Sequence, residues 1–138
     1  MKDAAAPAPV ELLVCVTCRM GRPVEDDAAR PGALLHAAIA ERDLPEGVTL
    51  KPVECFSNCD LGCSVAFRGG PDRWTYVYGN FDPSDVEASH ADVIAEGVAR
   101  YHATADGLVP WRERPQHLRK NCIARIPPVN APETPPED

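Results

Sequence analysis

The chain lacks any apolar run approaching the ~20 residues that cross a bilayer. Its opening stretch, MKDAAAPAPVELL, also lacks the apolar core of a secretory signal. Both absences lead to the expectation of a cytoplasmic protein with no membrane partner, in a compartment where thiols stay reduced. Positive charge is short as well: 14 Lys and Arg stand against 21 Asp and Glu, a net charge of −7. Nucleic-acid binders need a basic face, so nucleic acid is excluded as the expected partner. The acidic balance would steer the chain toward a basic partner surface instead. No Ser-His-Asp arrangement or convergent carboxylate pair is visible, and no helix follows Gly69 and Gly70 to make a phosphate loop. No internal repeat is present. The chain is therefore not expected to be an enzyme.

Its 138 residues suffice for one domain with one modest core. Many of the 15 prolines crowd the ends, in AAAPAP and IPPVNAPETPPED. Residues 1–10 and 129–138 are accordingly read as disordered tails. ELLVCV, residues 11–16, is a short apolar run of the buried-strand type. Pro31 suits a first helical turn, and the Ala- and Leu-rich stretch to Arg42 places Leu35 and Ile39 on one face. VTLKPVE, residues 48–54, reads as a second strand. SVAFR, GGPD and RWTYVYG read as a hairpin, with Trp74, Tyr76 and Tyr78 in period-2 alternation that serves sheet packing. Asp82 and Pro83 read as the start of a last helix carrying Val86, His90, Val93, Gly97 and Tyr101, with Gly107 as its stop.

This β-α-β-β-β-α order defines an α/β, thioredoxin-like single domain over 11–106. A C-terminal basic extension, residues 107–128, follows it. Its segment Trp111–Arg125 carries Arg112, Arg114, Arg119, Lys120 and Arg125 and reads as a solvated surface stretch, the alternative being an extension that packs on the domain or meets a partner.

The chemistry-bearing residues are cysteines. Cys15 and Cys18 follow the first strand in VCVTC; Cys55, Cys59 and Cys63 follow the second in VECFSNCDLGC. If those strands are parallel neighbours, both clusters meet at the carboxyl end of the sheet, where open α/β sheets place their sites. Disulfides are disfavoured by compartment. A C-x2-C thiol–disulfide oxidoreductase needs a lowered thiol pKa, typically at a helix N-terminus, but the helix starts more than ten residues after Cys18. Zinc, held by four thiolates, would make a structural, interaction or metallochaperone module. An iron–sulfur cluster takes the same four ligands and adds electron chemistry, and it is the preferred use. No histidine neighbours either cluster, which excludes a Rieske site. Thr17, Ser57, Asn58 and Ser64 flank the cysteines as hydrogen-bond donors to sulfur. Cys122 reads as an incidental or packed thiol, and His90, on the apolar face of its helix, as a packed residue.

VCVTC, then VEC-x3-C, then a hairpin and a D-P-initiated helix resemble the thioredoxin-like [2Fe–2S] ferredoxins over about residues 11–102. That group includes the small cluster-bearing subunit of bacterial NADH dehydrogenases. CFSNCDLGCSVAF, WTYVYG and GLVPWRERP further resemble a bacterial family of predicted metal-binding proteins over most of 11–128. The resemblance implies a [2Fe–2S] cluster, one-electron transfer between redox protein partners, a homodimer and a link to a cobalamin-related pathway. It implies four ligands among Cys15, Cys18, Cys55, Cys59 and Cys63. Two overlapping C-x3-C frames share Cys59, so either Cys55 or Cys63 completes the set.

Overall fold

The computed structural model describes residues 9–16, 30–54, 63–83, 85, 87 and 89–130. The chain builds β1 (Val10–Cys15), α1 (Pro31–Ala40), β2 (Val48–Val53), β3 (Cys63–Arg68) and β4 (Thr75–Phe81). There follow α2 (His90–His102), a 3₁₀ turn (Trp111–Glu113), α3 (Gln116–Lys120) and β5 (Cys122–Ile126). The five strands form one sheet in the order β2-β1-β3-β4-β5. β1 and β2 are parallel and the other pairs antiparallel.

Pro31 opens α1 from the first helical position, where its missing N–H costs nothing. Leu35 and Ile39 of α1 lie four residues apart and are fully buried. They join Val10, Leu12 and Val14 of β1, Val65 and Phe67 of β3, and Ile94, Val98 and Tyr101 of α2 in one apolar core. The register sets Leu12 opposite Phe67 and Val14 opposite Val65, so these side chains share the helix-covered face. On the other face Glu11 binds both Lys51 and Arg68 at 2.6 Å. These two partners hold its carboxyl below the usual range.

Three features depart from the sequence pattern. The sequence starts the last helix at Asp82, but α2 begins at His90, with Ser89 in the left-handed region at φ 49°. The reason is local: the Asp82 N–H donates to His90 Nδ1 at 2.8 Å, and Asp85 N–H returns to the Asp82 carbonyl. Those bonds fold the segment into turns before the helix. Val86 lies outside the described residues. Second, β4 continues past Gly79. Asn80, at φ 63°, adds a bulge, so that Phe81 rather than Asn80 stands opposite Cys63.

Third, the basic stretch supplies a fifth strand on β4 and buries Leu118 against the site of Gly97. A Cβ on Gly97 would lie 2.4 Å from Leu118 Cδ1, so glycine there admits α3. At the chain's two ends, β1 begins at Val10, inside the stretch read as a tail. Asn130 is tied to the hairpin by bonds to Pro71 and Asp72.

Candidate metal centre

Parallel pairing of β1 and β2 brings their carboxyl ends together, with Cys15 in register with Val53. The ladder closes with Val16 N–H on the Val53 carbonyl at 2.9 Å. One step further, Cys15 Sγ donates to the Glu54 carbonyl at 3.2 Å. Glu54 is the residue before Cys55. Cys15, at the end of β1, is therefore bonded to the backbone of the residue that precedes Cys55.

The chain re-enters the sheet at Cys63, the first residue of β3, on the other side of β1. β2 ends and β3 begins on either side of the end of β1, so the 54-to-63 connection starts and finishes at one end of the sheet. Cys18, Cys55 and Cys59 lie outside the described residues, as do Thr17, Ser57 and Asn58. Among the described residues, no group of three or more His, Cys, Asp or Glu converges as a ligand set.

Cys15 and Cys63 do not occupy equivalent positions. Strand alternation puts Cys63 on the face of Val65 and Phe67, and it is fully buried opposite Phe81. The same alternation puts Cys15 on the face of Glu11 and Leu13, at the strand's last position. Cys122, by contrast, is exposed at the start of β5, opposite Tyr78. Tyr76 and Tyr78 are buried and stacked, 5.8 Å between centroids, as packing residues of the sheet.

Behind Cys63 lies a histidine pair that spacing alone did not reveal. Phe81 stacks on His117 at 4.6 Å, and His117 stands 4.4 Å from His90. His117 Nε2 lies 3.1 Å from the Gly79 carbonyl, an acceptor, so that nitrogen carries the proton. Burial lowers the His117 pKa, and neighbouring His90 adds to the effect against the opposing bond to Gly79.

A depressed histidine pKa means the unfolded state takes up the proton first. The associated stability is present above the unfolded value of about 6.5 and is lost as pH falls through the folded value. Melting temperature should accordingly drop between pH 8 and pH 5.5, and less steeply in His117→Gln. An equal slope in both would refute the assignment. A groove between α1 and the start of α2, lined by Leu35, Ala38, Arg42 and His90, has no thiol among the described residues that line it. Its Arg42 is already paired with Asp92 at 2.5 Å.

The sheet order, the parallel first pair and the cysteines at its carboxyl end define a thioredoxin-like α/β fold. A thioredoxin-like [2Fe–2S] ferredoxin from Aquifex aeolicus superposes with a TM-score of 0.50 at 16% identity, covering 90% of this chain and 98% of that one. A further crystal structure of a wild-type thioredoxin-like [2Fe–2S] ferredoxin from the same organism gives a TM-score of 0.40 at 21% identity, over 62% and 87% of the two chains. No curated protein sequence matches. The chain belongs to the family described as "Protein of unknown function (DUF1636)", whose profile matches residues 12–128. No helix among the described residues is long and apolar enough to cross a membrane.

Proposed function

We propose that the chain is a one-electron carrier that holds a [2Fe–2S] cluster on Cys15, Cys18, Cys55 and Cys59, and that it has no enzymatic activity of its own. The observation that carries this reading is the contact of Cys15 Sγ with the Glu54 carbonyl, because it ties the cysteine that closes β1 to the residue preceding Cys55 in the chain. The donor set fits the group: thiolates are the ligands such clusters take, and four are available without Cys63. Cys15 and Cys63 are both buried; Cys63 is the cysteine left over, because strand alternation turns it to the core face of Val65 and Phe67, whereas Cys15 lies on the opposite face, with its sulfur on the Glu54 carbonyl. The fold shared with a [2Fe–2S] ferredoxin supports the same reading.

When bound, the cluster takes up and releases one electron. The chain's part is to hold and shield it. To become a ligand, Cys15 gives up the proton it now shares with Glu54, so metal loading releases protons. The expectations of a cobalamin-related pathway and of a homodimer rest on family resemblance rather than on any residue of the fold.

Protein purified without oxygen should contain iron and acid-labile sulfide in equal amounts, with visible absorption that dithionite bleaches. Colourless protein with stoichiometric zinc would replace this reading with a zinc-stapled module. Turnover of a disulfide substrate, lost in Cys15→Ser, would replace it with a thiol oxidoreductase.

A further inference from the structure

The chain is acidic, yet residues 107–130 hold five basic residues and one acidic residue, Glu113. Two of those charges are spent. Glu113 faces Arg100 at 3.7 Å, and Arg114 turns inward, its Nε donating to the Val109 carbonyl at 2.8 Å. The other four basic residues, Arg112, Arg119, Lys120 and Arg125, make no ion pair among the described residues. Arg119 Nε is buried without any hydrogen-bond partner.

Two of the four are held in place by aromatic rings. Arg119 lies over Trp111 at 4.7 Å and Arg125 over Trp74 at 4.8 Å. Such stacking fixes a guanidinium plane in advance and lowers the entropy lost when it meets a partner. Like charges gathered without counter-charges repel one another, and a carboxylate surface would relieve that repulsion. Ile123, 44% exposed on the adjoining strand, supplies apolar contact beside the charges.

One end of the patch approaches the Cys63 end of the sheet. Asn121, between α3 and β5, accepts the Gly79 N–H, and His117 stacks on Phe81, which stands opposite Cys63. β5 is two strand spacings from β3, about 10 Å, and it runs from the Gly79 end of β4 toward Thr75, where Arg125 stands opposite Tyr76. A partner seated on the patch would therefore reach the Cys63 end of the sheet at the patch's Lys120 side.

We propose that Arg112, Arg119, Lys120 and Arg125 form the docking surface for a redox protein with a carboxylate-rich surface; the partner's redox role rests on the electron-carrier reading. A second copy of this chain fits less well. Two-fold pairing of β5 edges would bring the two basic patches together, and basic residues on an edge strand oppose such pairing. Nucleic acid fits less well too, because four basic residues make a short patch rather than the extended basic stripe a duplex needs.

The test compares the full chain with Arg112→Glu/Lys120→Glu/Arg125→Glu, whose three sites are all exposed, and separately with Arg119→Gln. One probe is fluorescein-labelled polyglutamate. The other is a reduced flavodoxin, an acidic flavoprotein, mixed with the oxidised holoprotein.

At low salt the triple variant should bind polyglutamate and accept electrons from flavodoxin at least about tenfold more weakly or slowly. The native rate should fall as salt rises, and the variant's should rise. The extent of bleaching by dithionite and the melting temperature should match. Equal rates and equal polyglutamate binding would overturn the proposal, as would tighter binding of a DNA duplex than of polyglutamate at physiological salt. Protein that dithionite does not bleach would fail the carrier reading alone, because polyglutamate binding still reports on the patch.

Discussion

Cys15→Ser should purify colourless, with iron and sulfide at background, whereas Cys63→Ala should keep the full visible spectrum. The two cysteines differ in what surrounds them. Cys15 closes β1, and its sulfur reaches the carbonyl that precedes Cys55. Serine there puts a harder, less acidic oxygen where a thiolate ligand is needed, and a four-thiolate set tolerates that poorly. Cys63 starts β3 facing the core, opposite Phe81, with no surface exposed. Removing its sulfur leaves a small void costing about 1 kcal/mol, so Cys63→Ala should melt slightly lower with its iron content intact. Iron analysis across single variants of the five clustered cysteines checks this. Retention in Cys55→Ser together with loss in Cys63→Ala would show that Cys59 and Cys63 form the ligand pair.

That contrast also shows where sequence reading stops. The first four strands and α1 were legible because each is a short apolar run bounded by Gly or Pro, and the parallel start followed from the intervening helix. Convergence of the two cysteine clusters is an expectation from topology: the described residues place Cys15 and the start of β3 at one end of the sheet, and Cys18, Cys55 and Cys59 lie outside them. The choice between Cys55 and Cys63 was not legible, because two equal C-x3-C spacings carry no information on which sulfur faces the core. The register of β3 against β1 puts Cys63 on the core face, and Cys55 lies outside the described residues.

β5 was hidden by its own exposure: none of Cys122–Ile126 is buried, so no alternation marks it as a strand. The bulge at Gly79 and Asn80 had a signal in the Gly-Asn pair, read as a strand end rather than as a kink within a strand. The late start of α2 was illegible because Asp-Pro is a good helix opening. A histidine ring eight residues on claims the Asp82 N–H instead.

Arg73 is the clearest omission, since an arginine in a hairpin turn reads as solvated, yet it is 2% exposed. Its Nε and Nη2 donate to the carbonyls of Thr104 and His102, each at 3.1 Å, satisfying orphan acceptors at the end of α2. Burial lowers its pKa.

Tyr101→Ala should be the most damaging single change to the fold, costing about 3–5 kcal/mol. The ring is 1% exposed and meets Phe67 at 5.6 Å, the edge of Tyr76 at 6.4 Å and the guanidinium of Arg73 at 5.8 Å. Its hydroxyl donates to the Trp74 carbonyl at 2.5 Å, tying α2 to the start of β4. Burial raises its pKa, so the hydroxyl stays a donor throughout the neutral range. Gly107 closes the other side: a Cβ there would lie 2.7 Å from the ring, at a φ of 79° that favours glycine.

Truncation would empty this space and strip Arg73 of its aromatic support. Against a total of about 5–15 kcal/mol for a domain, such a loss removes between about a fifth and all of the stability. Tyr101→Phe keeps the packing and removes one hydrogen bond, about 1 kcal/mol. Urea unfolding of the two variants separates these contributions. A loss below about 1.5 kcal/mol in Tyr101→Ala would mean that the junction of α2, β3 and β4 can collapse around the void.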